Sequence, residues 1–272
     1  MTLVSTDWLS ENLNKVKIID ASWHLVKNRN AIEEYNKEHI ENAIFFDLDK
    51  SSSQKKSLAH GHFLPTASDH EKIISEMGIS NSDKIIIYCY SDLISSCRAW
   101  FQFLYFGHDP KLVSVLNGGM KKWKLEGRKI TNSKTKIIKS NYRAKENKNM
   151  IKLKSQIDEN IKNREFTIVD GRSKNRFLGL EPEPRPGVKS GSIKGSQSMP
   201  LGEIVNLKDN TFLEAKKLRD IFNSSEINSN KIVMSCGSSV SAASLALAYS
   251  LINDDYIPKI YIGSWTEFGK NK

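Results

Sequence analysis

The stretch Lys231-Ile-Val-Met-Ser-Cys236-Gly-Ser-Ser-Val-Ser-Ala242 carries the residue types best suited to chemistry in this chain. A β-branched run ends in a thiol at Cys236, and an Ala- and Leu-rich run to Leu251 reads as a helix. A cysteine in the turn ahead of a helix meets backbone N–H groups and the positive end of the helix dipole. Both favour an anion and lower a thiol pKa, which makes the cysteine a nucleophile. The competing assignment is a buried structural thiol, because free Cys packs as a small hydrophobe. Two arginines nine positions apart, Arg176 and Arg185, lie in a segment stiffened by Pro182, Pro184, Pro186 and Gly187. A planar guanidinium pairs bidentately with a carboxylate, so the pair suits a small anionic ligand; a surface ion pair is the alternative.

The elements that must hold these residues occur twice. Residues 16–20 and 166–170 are apolar strands ending in Asp20 and Asp170, 150 positions apart. An amphipathic helix precedes each, over 6–13 and 154–161. A turn leading into a short strand follows, over 39–46 and 191–200, then a helix over 67–77 and 214–222. The strands 84–88 and 231–235 each run into a cysteine, Cys89 and Cys236, separated by 147 positions. Finally 111–119 parallels 259–264, with Gly118 and Gly263 145 positions apart. Landmarks at nearly constant separation imply an internal duplication.

Short apolar strands alternating with helices predict an α/β fold: two tandem domains, each a parallel sheet flanked by helices on both faces. The predicted domains cover 1–130 and 151–272, with a basic linker over 131–150. Ligands of such sheets sit at the carboxyl ends of the strands, where both Cys89 and Cys236 fall. Paired domains also tend to place a site in the crevice between them.

The length, 272 residues, leaves room for two ordinary domains. Three widely spaced cysteines imply neither a disulfide framework nor a zinc site, and fit a reducing compartment. The amino terminus reads as a helix start with Ser5 or Thr6 as N-cap, not as a signal peptide, and no run is apolar enough to span a bilayer. A cytoplasmic protein without a membrane partner is expected. The net charge is +10, with lysines concentrated over 134–154. Aromatics are not interleaved there, so no nucleic-acid platform is expected. A solvated basic surface would still raise encounter rates with anionic substrates.

Several stretches of the second half then combine: Val169-Asp-Gly-Arg-Ser, Arg176-Phe-Leu-Gly179, Glu181-Pro-Glu-Pro-Arg185-Pro-Gly187, Ser190-Gly-Ser-Ile-Lys-Gly-Ser196, the Cys236 loop and Gly263-Ser-Trp265-Thr-Glu267. The first half adds His39-Ile40, Phe45-Phe-Asp-Leu-Asp49, His62-Phe-Leu-Pro65, Arg98-Ala-Trp100 and Phe106-Gly-His108. Together they resemble the two-domain rhodanese family, in its branch of 3-mercaptopyruvate sulfurtransferases. The resemblance implies a catalytic second domain and a non-catalytic first domain that contributes to the cleft. Sulfur would pass from 3-mercaptopyruvate to a persulfide on Cys236 with release of pyruvate, and then to a small thiol, a thioredoxin-like acceptor or another nucleophile. The chain would act as a monomer, with no cofactor and no metal.

By the same resemblance Arg176 and Arg185 bind the donor's carboxylate and carbonyl, and Gly237, Ser239, Val240 and Ser241 complete the binding loop. Ser238 relays protons with Asp49 and a histidine, for which His62 and His60 both stand as candidates. Relatives that prefer thiosulfate carry Arg and Lys directly after the cysteine. Gly237 and Ser238 are uncharged, which favours mercaptopyruvate. Thiosulfate as donor, or a non-catalytic sulfur carrier or interaction module, are the alternatives. A phosphatase of related fold needs Cys-x5-Arg, and position 242 is Ala.

Four departures from the family pattern carry expectations. Ser239 replaces a glycine, at a cost of about 1 kcal/mol if the turn needs a positive φ. Ser241 replaces a threonine and keeps a hydroxyl that can cap the helix. Ile262 replaces an aspartate. Cys89 replaces another, in a loop without glycine where Asp92 would oppose a thiolate; that loop reads as degenerate, and Cys97 as packing.

Overall fold

The computed structural model describes residues 2–25, 28–54, 61–227 and 231–270. It divides into two units: Met1–Ser53, Leu64–Asn147 and Asn206–Phe212 form the first, and Gln54–Phe63, Lys148–Val205 and Leu213–Lys272 the second. His62 therefore belongs to the second unit although it lies in the first half of the sequence.

The first unit runs β1 (Leu3–Val4), α1 (Thr6–Asn12), β2 (Lys17–Asp20), α2 (Ala31–Lys37), β3 (Ala43–Phe45), α3 (Ala67–Glu76), β4 (Ile85–Tyr88), α4 (Ser96–Tyr105), β5 (Val113–Leu116) and α5 (Gly119–Leu125). Its five strands are all parallel, in the order β1-β5-β4-β2-β3. All four residues of Ile85-Ile-Ile-Tyr88 are buried, as an apolar strand covered on both faces requires. Ile18 and Ile86 pack with Leu9 of α1 and Met120 and Trp123 of α5. Ser5 is the N-cap of α1, its hydroxyl accepting from Trp8 N–H at 3.1 Å.

The segment expected as a linker packs, up to Asn147, on the first unit. Tyr142 is buried and stacks on His108, and the N–H groups of Lys145 and Asn147 donate to Phe106 and Tyr105 carbonyls at 2.9 and 2.7 Å. One aromatic ring supplies the apolar anchor that the surrounding lysines hid.

The second unit repeats the plan with β6 (Ile151–Lys152), α6 (Lys154–Asn163), β7 (Thr167–Asp170), α7 (Lys174–Leu178) and β8 (Gln197–Ser198). A two-stranded ribbon of β9 (Val205–Asn206) and β10 (Thr211–Phe212) follows in sequence, and its residues from Asn206 to Phe212 belong to the first unit. The chain then continues through α8 (Ala215–Ser224), β11 (Ile232–Ser235), α9 (Ser241–Ser250), β12 (Ile260–Tyr261) and α10 (Ser264–Phe268). The sheet is again parallel, in the equivalent order β6-β12-β11-β7-β8. β11 is thus a central strand, and Cys236 follows it directly. Residues 241–249 of α9 are all buried, as a helix apolar on every side must be. Among the described residues no helix is long and apolar enough to cross a membrane.

Candidate active site

The register of β11 on β7 pairs Ser235 with Asp170, so both strands end at one level and their following loops are neighbours. Cys236 leaves β11 buried, at 2% exposure. Its loop reaches α9 within four residues, with Ser239 at φ 59°. The positive φ that a glycine would adopt freely is therefore carried by a serine here.

A second segment pins the loop. Cys236 N–H and Ser239 N–H both donate to Ser264 Oγ, at 3.4 and 3.1 Å. Trp265 N–H donates to Cys236 O at 2.8 Å, and Thr266 donates to Gly237 O from N–H and hydroxyl at 2.9 and 2.5 Å. Two of the loop amides expected to face the sulfur are thus taken by a hydroxyl. Ser241 is also corrected: it is the first residue of α9, and the N-cap is Val240, without a side-chain capping bond. The helix begins one residue earlier than a capping serine would need.

Both arginines reach this loop. A Cβ added to Gly237 would lie 3.2 Å from Arg176 Nη2 and 3.5 Å from Arg185 Nη1. The absence of a side chain at 237 is what admits them. Arg185 Nη2 donates to Ser238 Oγ at 2.9 Å, and His62 Nδ1 lies 3.0 Å from the same oxygen. With Arg185 as donor, the Ser238 hydroxyl hydrogen is directed to His62 in the tautomer whose Nδ1 is unprotonated. His62 O also accepts from Ser239 Oγ at 3.4 Å. His60 lies outside the described residues. Asp49 belongs to the first unit, where its Oδ1 accepts from the Trp23 indole N–H at 3.1 Å.

Sequence reasoning missed the residues behind the arginines. Arg172, stacked 4.6 Å over Trp265, pairs with Asp170 at the end of β7 and with Glu183, which also holds Arg176. Burial works against the Arg172 charge, but hydrogen bonds and attraction from Asp170 and Glu183 outweigh it and raise its pKa. The signal was a row of charges inside a Pro-rich segment, more than a surface loop needs. Open space at the amino end of the second sheet, a cavity of about 420 Å³ lined in part by Arg164, Lys194 and Lys231, contains none of the predicted site residues.

The first unit's counterpart differs in kind. Cys89 is buried, its thiol donates to Ser96 Oγ at 3.3 Å, and burial pushes its pKa up. Burial, rather than the charge of Asp92, is what holds this thiol neutral. Cys97 is fully buried on α4, and no disulfide joins the three cysteines. Among the described residues no group of three His, Cys, Asp or Glu side chains could hold a metal.

The family model of the Rhodanese-like domain matches this chain twice, over residues 5–126 and 153–271. The chain belongs to the rhodanese family. Within that family it is 35% identical to thiosulfate/3-mercaptopyruvate sulfurtransferase 1, mitochondrial, of Arabidopsis thaliana, over 98% of this chain and 75% of the relative. Identity to the human 3-mercaptopyruvate sulfurtransferase is 33%, over 98% of this chain and 91% of the other. Among solved structures, SseA of Escherichia coli, a 3-mercaptopyruvate sulfotransferase, superposes with a TM-score of 0.86 at 27% identity, covering 97% of this chain and 99% of SseA.

Proposed function

We propose that this chain is a sulfurtransferase that takes sulfur from 3-mercaptopyruvate through a persulfide on Cys236 and releases pyruvate. The observation that carries this reading is the approach of Arg176 and Arg185 to Gly237, next to Cys236. Two guanidiniums there suit the carboxylate and carbonyl of a keto acid. The relatives' names point to the same donor.

The Cys236 thiolate attacks the donor sulfur, an S–S bond forms and the C–S bond breaks. The electron pair goes to the departing carbon as an enolate, spread onto its carbonyl oxygen. The proton first held on the donor's thiol ends on that carbon, giving pyruvate and leaving an ionised persulfide. Ser238, hydrogen-bonded to Arg185 and His62, is the group suited to pass it. An acceptor thiolate, from a small thiol or a thioredoxin-like protein, then attacks the outer sulfur and Cys236 leaves as thiolate. The loop at the head of α9 stabilises the anion at each stage. Catalysis belongs to the second half, and the raised pKa of Cys89 supports a non-catalytic first half.

The test is pyruvate release from mercaptopyruvate by the wild type and by Cys236→Ser, with intact mass after donor exposure. The wild type should release pyruvate and gain one sulfur on Cys236. The variant should lose roughly a thousandfold in rate and gain no sulfur. Undiminished pyruvate release by Cys236→Ser would overturn the reading.

A further inference from the structure

Arg176 and Arg185 stand close to the same loop, and Arg176 reaches it held by a buried carboxylate. The Glu183 side chain is 3% exposed, and Oε1 accepts from Arg172 Nη1 at 2.6 Å and from Arg176 Nε at 3.2 Å. Oε2 accepts from Arg176 Nη2 at 2.5 Å. Arg172 in turn is rooted in the sheet: Nε and Nη2 donate to Asp170 at 3.1 and 2.8 Å, and Nη2 also donates to Gly191 O at 2.7 Å. A continuous chain of charges, Asp170, Arg172, Glu183 and Arg176, therefore runs from the end of β7 to the donor loop.

Two consequences follow from elementary chemistry. The Nε–Nη2 edge of Arg176 is spent on Glu183, so a ligand meets the guanidinium at its Nη1–Nη2 end, through the second Nη2 hydrogen that faces Gly237, in an orientation the carboxylate fixes. The carboxylate also offsets one positive charge within a few ångströms of the loop, in buried surroundings where charges are weakly screened. That offset weakens the attraction for a compact dianion more than for a molecule bearing a single charge.

We propose that Glu183 is a positioning and specificity-determining residue: by pairing with Arg176 it tunes the donor site toward a monoanionic keto acid and against a dianion such as thiosulfate. This rests on the sulfurtransferase reading above for its biological meaning, and is tested without turnover. Pyruvate serves as the monoanionic probe and sulfate as the dianionic one, each titrated calorimetrically into wild type, Glu183→Gln and Glu183→Asp.

In Glu183→Gln the sulfate-to-pyruvate affinity ratio should rise about tenfold, because one charge is removed at nearly constant shape. Glu183→Asp draws the carboxylate back without deleting it, so the ratio should move the same way by a smaller factor; this arm stands if the glutamine variant does not fold. The ratio of kcat/KM for thiosulfate to that for mercaptopyruvate should follow. Both affinities falling together, an unchanged ratio, or binding of neither anion by the wild type would overturn the proposal. If the affinity ratio shifts as expected but the wild type releases no pyruvate, the specificity role stands and the sulfurtransferase reading fails.

Discussion

At the scale of single residues, the space above Gly237 decides what the loop can bind. A methyl group there would sit 3.2 Å from Arg176 Nη2. An unrestrained arginine tip would swing aside at little cost, but Arg176 is held along its Nε–Nη2 edge by Glu183. Gly237→Ala should therefore displace the donor rather than the arginine. The expected result is a three- to tenfold rise in KM for mercaptopyruvate, about 1 kcal/mol of lost binding, with kcat less affected. Steady-state kinetics check this, and a fall in kcat at constant KM would show that the methyl disturbs the thiolate instead. Ser239 is the opposite case: at φ 59° the backbone calls for glycine, yet the serine gives its N–H to Ser264 and its hydroxyl to His62 O. Backbone strain of about 1 kcal/mol is retained where the loop meets the relay.

At the scale of elements, the duplication isolates one difference between the two cysteine loops. After β5, Gly119 takes φ 53° and Met120 N–H donates to Cys89 O at 3.0 Å. After β12, Ser264 takes φ 48° and Trp265 N–H donates to Cys236 O at 2.8 Å. The backbone device is the same, but only the second unit adds a hydroxyl, and that hydroxyl holds two loop amides. Ser264→Gly converts one into the other. Losing the hydroxyl leaves two buried amides to re-pair, while the left-handed strain is relieved, so net stability should change by about 1 kcal/mol or less. Turnover should fall about ten- to hundredfold, since the loop is no longer held in one shape. Melting and kinetics measured together test this; unchanged turnover would remove Ser264 from the machinery.

The duplication, the strand ending in Cys236 and the paired arginines were legible because residue type and spacing alone encode them. Ser264 was not legible as a loop anchor, because it lies 28 positions from Cys236 and its partners depend on a backbone bend. Glu183 was quoted within a motif, but its partners appear only once Asp170 and Arg172 stand at the end of β7. α2 has no buried residue, so it left no apolar periodicity to read.

At the scale of the whole molecule, a buried histidine that the chemistry does not use contributes to the acid dependence of stability. His70 is fully buried, stacked on Phe106 with ring centroids 4.0 Å apart; burial first, then the charges of Arg98 and His108, push its pKa down to about 3. A histidine depressed in the folded state contributes stability that is present above its unfolded pKa near 6.5 and lost as pH falls from there toward the folded value. The slope approaches about 1.4 kcal/mol per pH unit for one proton. Asp20 has the opposite sign: burial raises its carboxyl pKa, so its contribution is present below about 3.9 and lost as pH rises through the folded value. Where the two windows overlap, the contributions of His70 and Asp20 change with pH in opposite directions. His70→Phe keeps the stacking, and Gln102 Nε2 keeps its bond to Ser51 O at 3.0 Å. The variant should be about 1 kcal/mol less stable at pH 7.5, having lost the His70–Gln102 contact, yet more stable than the wild type near pH 4.5. Thermal midpoints of the full chain across that range should cross; parallel curves would mean that His70 stays neutral in the unfolded chain too, or that acid unfolding starts elsewhere.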